Sequence, residues 1–249
     1  MLIKQVSPLK WIEFSLFQKY PQIVHASFMR HGGLSQAPYK ALNASFLVGD
    51  KDTAVAANIA LIEKTLKIPP ITFAKQTHST RIHLLDKPSP PNMLEGDALF
   101  TKTQKVPLGI LHADCQAAIF FDPRQNVLCL THAGWRGQAL GLYTKTIKTL
   151  VEQAGCLPEN ILVGISPSLG PQHAEFYLEN DPLSEIQKRF EITPNHFDLW
   201  QAAFYELTKA GLKESNIELA KICTHENNNF FSYRKEGITG RLATVAMLL

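Results

Sequence analysis

Three short apolar runs in the middle of the chain constrain the fold more than any other feature. Residues 108–111 and 117–121 have the length and composition of buried β-strands, and residues 127–130 form a third such run. A turn signal, Asp122-Pro123-Arg124-Gln125-Asn126, separates the second run from the third. This pattern predicts a β-hairpin, which would bring Cys115 and His132 to the same end of a sheet.

Helical periodicity flanks these strands. Asp52 or Thr53 is able to cap a first helix, whose apolar residues recur at helical spacing and stop before two prolines: Val55, Ile59, Ile62 and Leu66. A second stripe, between Gly137 and Gly155, predicts another helix: Leu140, Tyr143, Ile147, Leu150 and Val151. Asp198 is able to cap a later helix that carries Trp200, Phe204 and Leu207.

Further strands are predicted at 71–74, 161–165 and 242–248, and a proline-rich exposed loop at 87–92. Strands and helices therefore mix without strict alternation. This order favours a single α/β or α+β domain over residues 1–249 rather than a regular barrel.

The composition is that of a globular protein without a strong electrostatic partner. The chain has 249 residues, 45 % hydrophobic residues and a formal charge of +3, with no block of like charges. We therefore expect a substantial core, no nucleic-acid partner and no membrane partner. The first residues lack a signal-peptide pattern and the four cysteines form no CxxC pair. We expect a cytoplasmic monomer with free thiols.

Three potential metal ligands lie in compact polar motifs: His78, Cys115 and His132. One thiolate and two imidazoles are able to hold zinc and leave a fourth position for water or substrate. Each residue also has an ordinary structural interpretation, since an isolated cysteine beside an apolar run is usually buried. His78 is equally consistent with an exposed position, and His132 with a cap or a core position. The sequence alone does not show that His78 reaches the other two.

Neighbouring polar residues also have two interpretations. His112 is either a partner that orients a metal ligand or a buried histidine bonded to the backbone. Asp114 either accepts an imidazole proton or completes a turn. Arg136 is able to pair with an anionic group or to form a structural ion pair.

In this order, the motifs resemble those of the YfiH/laccase-domain proteins, also called the multicopper polyphenol oxidase or purine nucleoside phosphorylase family. The matching stretches run along nearly the whole chain and are together highly specific: Arg30-His31-Gly32-Gly33-Leu34-Ser35, Leu42-Asn43, Gly49-Asp50, Gly96-Asp97-Ala98-Leu99-Phe100-Thr101, His112-Ala113-Asp114-Cys115, Thr131-His132-Ala133-Gly134-Trp135-Arg136-Gly137, Phe230-Phe231-Ser232-Tyr233-Arg234 and Thr239-Gly240-Arg241-Leu242-Ala243. One departure follows Pro171, where Gln172 and His173 stand in place of cysteines that the family often has.

The resemblance implies mixed β-sheets packed together with helices outside, which is an α/β (α+β) fold. It implies that His78, Cys115 and His132 are the zinc ligands and the catalytic residues. It also makes Arg30 and Asn43 candidates for substrate contact, and Arg136 or Arg30 a candidate to balance the charge of phosphate.

The implied activity is zinc-dependent phosphorolysis of purine nucleosides (adenosine, inosine, guanosine and S-methyl-5'-thioadenosine), with adenosine deamination as a second activity. Purine nucleosides and phosphate are then the partners. Three alternatives stay open: copper-dependent, laccase-like oxidation of phenols, hydrolysis with Cys115 as an activated nucleophile, and a non-catalytic metal-binding module. The sequence contains no HExxH, P-loop or GxGxxG pattern and no PCxxC deaminase pattern.

Overall fold

Two six-stranded mixed sheets form the centre of the computed structural model, which describes residues 1–89, 94–177 and 188–249. With strands numbered in chain order, the first sheet has the order β1 (Leu2–Val6), β2 (Leu9–Glu13), β3 (Ile23–Phe28), β14 (Leu242–Leu248), β7 (Leu108–His112) and β4 (Thr72–Phe73). The second has the order β13 (Ile217–Leu219), β10 (Leu162–Ile165), β8 (Gln116–Asp122), β9 (Val127–Ala133), β6 (Ala98–Thr101) and β5 (Ile82–Leu84). A separate small hairpin joins β11 (Glu191–Thr193) to β12 (His196–Phe197).

Five helices lie among the described residues: α1 (Asp52–Leu66), α2 (Trp135–Ala139), α3 (Leu142–Ala154), α4 (Leu199–Lys209) and α5 (Tyr233–Glu236). The predicted helix at Asp198 is confirmed, because the Asp198 carboxylate accepts a hydrogen bond from the backbone N–H of Gln201. No helix in the described parts of the chain is long and apolar enough to cross a membrane.

Two helix details differ from the prediction. The cap position of α1 is Lys51, which makes no side-chain cap bond, so neither Asp52 nor Thr53 caps it. The predicted helix after Gly137 is two helices, because Gly141 takes a positive φ of 70° between α2 and α3. Leu140 lies in this turn and is exposed rather than part of the apolar stripe.

Apolar side chains fill the space between the two sheets. The first sheet contributes Leu108 and Ala246, and the second contributes Ile119 and Leu130. On its other face, the second sheet packs against helices, with Phe120 in one apolar cluster with Ile147, Leu150 and Leu207 of α3 and α4. Because strands β8 and β9 are covered on both faces, their sequences are continuous apolar runs rather than alternating ones.

Two cysteines lie in the apolar cluster between the second sheet and its helices. Cys129 in β9 and Cys156 after α3 are buried in the core, as free cysteines usually are. In the predicted proline-rich loop, residues 87–89 are exposed or half-buried, and residues 90–92 lie outside the described residues.

Candidate metal centre

The predicted hairpin brings Cys115 and His132 together. β8 and β9 are antiparallel, with Gln116 opposite Ala133 and Ala117 opposite His132. Cys115 is the residue immediately before β8, and His132 is the penultimate residue of β9. Both therefore lie at the same end of the second sheet, as the turn signal indicates.

His78 arrives from the first sheet. The short strand β4 runs parallel to β7, with Thr72 beside Leu108, so the segments after these strands emerge at the same edge. The Gln76 side chain then continues the pairing, since its Nε2 donates to the Leu111 carbonyl and its Oε1 accepts from the Leu111 N–H. These contacts bring His78, two residues later, to the loop that carries Cys115.

The three side chains form a compact cluster. One donor atom each from His78, Cys115 and His132 lie within 4.8 Å of one another. Cys115 Sγ is 3.9 Å from His78 Nε2, and the two imidazole rings are 4.9 Å apart at 76°. Sulfur and nitrogen ligands on one tetrahedral zinc ion are separated by about 3.6 Å, so this donor set fits zinc with only a small contraction.

Asp97, which had no predicted role, positions two members of the cluster through hydrogen bonds. Its carboxylate is fully buried and accepts hydrogen bonds from His132 Nδ1 at 2.9 Å, the His78 N–H at 3.0 Å and the Ser79 N–H at 2.6 Å. The bond to Nδ1 leaves Nε2 of His132 as the nitrogen available to a metal. The bond to the His78 backbone supports a left-handed conformation with φ of 59°, which is uncommon outside glycine.

Charge interactions within the cluster shift three pKa values. Burial raises the pKa of the Cys115 thiol, but His132 and His78 outweigh burial and lower it to about 6. Burial lowers the pKa of His132, but Cys115 and Asp97 raise it to about 9. Burial likewise opposes ionisation of Asp97, yet the bonds from His132 and Ser79 lower its pKa to about 2. The cluster therefore favours a thiolate, which is the form that binds metals.

Gly134 provides the space for the cluster. A Cβ atom at this position would lie 2.7 Å from Cδ2 of His78 and 3.1 Å from Cys115 Sγ. The backbone of Gly134 has an ordinary extended conformation, so the glycine is required for close approach rather than for an unusual φ.

Two cavities meet at the cluster, and His78 and Cys115 line both. The first, of about 300 Å³, is mainly apolar and is lined by Trp135, Phe176 and Leu199. The second, of about 410 Å³, is lined by Gln76, His132 and Arg241. Both volumes are within the range of small-molecule sites.

Comparison with known proteins agrees with the sequence motifs. Residues 24–249 match the family model described as multi-copper polyphenol oxidoreductase laccase. The chain belongs to this family. A relative from Haemophilus influenzae, named purine nucleoside phosphorylase, is 32 % identical over 90 % of this chain and 94 % of its own length. A relative from Escherichia coli, named purine nucleoside phosphorylase YfiH, is 27 % identical over 93 % of this chain and 97 % of its own.

Solved structures show the same fold. The crystal structure of the Bacillus licheniformis hypothetical protein YfiH superposes with a TM-score of 0.86 at 26 % identity and covers 99 % of each chain. The structure of YlmD from Geobacillus stearothermophilus gives a TM-score of 0.84, also at 26 % identity, over 99 % of this chain and 98 % of its own. The predicted mixed α/β fold of the YfiH family is confirmed.

The three residues predicted to contact substrate lie beside the two cavities rather than in their walls. The Arg30 guanidinium pairs with both carboxylate oxygens of Glu236, at 2.6 and 3.2 Å, and stacks 4.4 Å from the ring of Phe231. Arg136 stacks 4.4 Å from the ring of Trp135, which does line the first cavity. Their roles toward substrate stay predictions.

Asn43 is fully buried beneath the second cavity. Its amide donates to the Ser45 carbonyl and the Asp50 carboxylate, and its Oδ1 accepts from the backbone N–H of Arg241. Asn43 thus holds the segment that presents Arg241 to the cavity. Two arginines that line the cavities, Arg234 and Arg241, lie in matched family motifs, which was the only sequence signal for them.

The two ambiguous neighbours, His112 and Asp114, now have defined partners. His112 is buried in β7 with its Nε2 2.9 Å from the hydroxyl of Thr244, so it bonds to a side chain of the neighbouring strand. Asp114 completes a turn with φ of 88°, and its carboxylate accepts from the Thr224 hydroxyl and the Arg234 N–H.

Proposed function

We propose that this chain is a zinc-dependent purine nucleoside phosphorylase that acts on adenosine, inosine, guanosine and S-methyl-5'-thioadenosine and also deaminates adenosine. The observation that carries the proposal is the cluster of His78, Cys115 and His132, which lies between an apolar cavity and a more polar one. The names of the relatives support the same activity. When bound by these three residues, zinc supplies a Lewis acid beside both cavities.

The apolar cavity suits the purine base. Trp135 and Phe176 line it with ring centroids 5.5 Å apart, and they present large aromatic surfaces for a flat heterocycle. The Arg136 guanidinium stacks on the ring of Trp135, and the Arg234 guanidinium, which lines the same cavity, lies 5.2 Å from the centroid of the Phe176 ring. Arg136 would then act on the substrate only indirectly, through its contact with Trp135.

The second, more polar cavity suits the ribose and phosphate. Arg241 contributes a guanidinium whose Nη1 is held by the carbonyls of Thr239 and Gly240, so the group is oriented before an anion binds. In phosphorolysis, a phosphate oxygen bonds to the ribose anomeric carbon while the bond to the purine nitrogen breaks. The base leaves with the bonding electrons and takes up a proton.

In deamination of adenosine, water adds to the purine carbon that carries the amine, and ammonia leaves to give inosine. The Asp97–His132 pair holds a proton at Nδ1 of His132 and fixes the ring beside the cavity. This pair therefore fixes the tautomer and the ring orientation of His132.

A nucleoside turnover assay with and without phosphate tests the proposal. Release of a purine base only with phosphate indicates phosphorolysis, and inosine formed from adenosine indicates deamination. His78→Ala, Cys115→Ala and His132→Ala should each lose zinc and both activities, whereas His196→Ala, outside the cluster, should keep them. Full activity in a metal-free triple variant would refute the proposal.

Two other chemistries have specific support and separate tests. The lowered pKa of Cys115 favours a nucleophilic thiolate, and a covalent adduct trapped on Cys115 with substrate would establish that mechanism. The family description favours copper, and a thiolate with two imidazoles also binds copper. Elemental analysis of protein purified without added metal distinguishes copper from zinc.

A further inference from the structure

A second group of mixed donors lies outside the cluster of His78, Cys115 and His132. One ligand atom each from His173, Cys223 and Glu226 lie within 4.8 Å of one another. His173 Nε2 is 3.1 Å from Glu226 Oε1, a separation suited to two ligands of one ion with bonds of about 2.1 Å. Cys223 is buried, His173 is half-buried and Glu226 is exposed, so the group opens to solvent on one side.

Backbone pairing brings these residues together from separate segments. Ser168 and Cys223 form a parallel bridge that extends the second sheet beyond β10. A turn closed by the hydrogen bond from the Asn227 N–H to the Cys223 carbonyl places Glu226 beside it. A second turn, closed from the His173 N–H to the Gly170 carbonyl, places His173 opposite.

The surroundings orient the donors as metal sites require. The Gly170 N–H donates to Cys223 Sγ at 3.2 Å, and a Cβ at position 170 would lie 3.1 Å from that sulfur. An N–H bond to sulfur stabilises the thiolate form. The ring of His173 is stacked on that of His225 at 3.9 Å, and Arg234 Nη1 donates to the His173 carbonyl at 3.1 Å.

We propose that His173, Cys223 and Glu226 bind a second divalent metal ion of the zinc class. Thiolate, imidazole and carboxylate together are a ligand set that zinc accepts, whereas a magnesium or calcium site would use oxygen ligands. The alternative is an ion pair between half-buried His173 and exposed Glu226 beside an unrelated thiol, and a pair this accessible to solvent stabilises little.

The consequence of this ion is structural. Ser168, Leu169 and Phe176, which flank His173 in the chain, line the apolar cavity. A metal bound to both His173 and Cys223 would connect this segment to the backbone at Cys223, which pairs with Ser168 beside the second sheet. It would thereby fix one wall of that cavity. The proposal does not depend on the function proposed above, because it concerns metal binding alone.

Cobalt binding to a protein without the first site tests the proposal. Cys115→Ala, stripped of metal and titrated with Co²⁺, should bind one ion per chain and show the thiolate-to-cobalt absorption, which only another cysteine provides. Cys115→Ala/Cys223→Ala should lose both the ion and the absorption. Cys115→Ala/Cys156→Ala, which removes a buried cysteine that belongs to neither ligand group, should retain both.

Replacing buried Cys223 could disturb folding, so variants at the two more exposed ligands provide a second test. Cys115→Ala/Glu226→Gln changes an exposed side chain, and Cys115→Ala/His173→Ala a half-buried one, and each should weaken Co²⁺ binding while the far-ultraviolet circular dichroism stays unchanged. Folded Cys115→Ala that binds no Co²⁺ would overturn the proposal, as would binding that survives the loss of Cys223.

Discussion

At the scale of single residues, Asp97 determines the geometry of the cluster although it is not itself a donor. One carboxylate fixes the ring of His132 on β9 of the second sheet and the backbone of His78 in the segment after β4 of the first sheet. For Asp97→Asn we expect zinc affinity to fall by about 10–100-fold, because an amide presents an N–H toward the donors of His78 and Ser79. Competition with a chelator measures the affinity.

Asp122→Asn is the matched control for this change. Asp122 is also buried and accepts backbone N–H bonds, from Arg124 and Gln125, but at the opposite end of β8. Its replacement should lower stability without changing zinc affinity. Equal losses of affinity in both variants would show that Asp97 acts only through general stability.

Gly134 leaves the space that the ring of His78 needs in the cluster. For Gly134→Ala we expect a fall in zinc affinity on the order of 10-fold or more, because the new Cβ displaces the ring of His78. Gly137→Ala is the control, since a Cβ there has no neighbour nearer than 3.6 Å. Isothermal titration of both metal-free variants with zinc makes the comparison, and unchanged binding in Gly134→Ala would contradict the expectation.

At the scale of elements, the sequence predicted long strands and helices that are neighbours along the chain, and it missed short elements and breaks. The hairpin β8–β9 was predictable, because only 16 residues lie between its paired ends, Gln116 and Ala133, and they contain one strong turn signal at 122–126. The small hairpin β11–β12 was not predicted, since its strands are only three and two residues long. The break between α2 and α3 depends on Gly141, which a periodic apolar pattern does not reveal.

Contacts between distant elements were beyond the sequence. The Asp97–His132 bond joins residues 35 positions apart, and the Arg30–Glu236 pair joins residues 206 apart. Composition and spacing carry no signal for such polar pairs, so Asp97 had no predicted role and the predicted anion partner Arg30 has a carboxylate neighbour. The approach of His78 to Cys115 depends on the parallel register of β4 and β7, which only the folded sheet shows.

The contact between helices α3 and α4 predicts a pH dependence of stability. Glu206 of α4 is buried, and its Oε1 accepts from the N–H and the hydroxyl of Thr144 in the first turn of α3, while its Oε2 has no partner among the described residues. Burial outweighs these bonds and raises the pKa of Glu206 to about 6. Ionisation of this carboxyl therefore costs stability above pH 6, and the cost disappears as the pH falls below its unfolded value of 4.5.

Glu206→Gln removes this titration and keeps an oxygen for Thr144. Relative to the variant, the wild type should gain up to about 2 kcal/mol in free energy of unfolding as the pH falls from 8 to about 4.5. Urea denaturation across this range measures the difference. A difference that is constant with pH, or one that grows with rising pH in favour of the wild type, would contradict the pKa assignment.

At the scale of the whole molecule, the cluster joins the two sheets. His78 follows β4 of the first sheet, Cys115 lies between β7 of the first sheet and β8 of the second, and His132 belongs to β9 of the second. A zinc ion held by all three would therefore link the sheets at one edge of the core between them. Because the unfolded chain does not keep these residues together, binding favours the folded state.

Zinc removal should consequently lower the unfolding temperature of the wild type. At a free zinc concentration of about 100 times Kd, binding adds about 2.7 kcal/mol, which corresponds to roughly 5–10 °C for a chain of this length. His132→Ala loses the ligand from the second sheet, so its response to zinc should be clearly smaller, while Cys156→Ala should respond as the wild type does. Differential scanning calorimetry with zinc and with chelator measures each increment. An equal increment in His132→Ala and the wild type would show that the ion does not bind His132 and so does not link β9 to the first sheet.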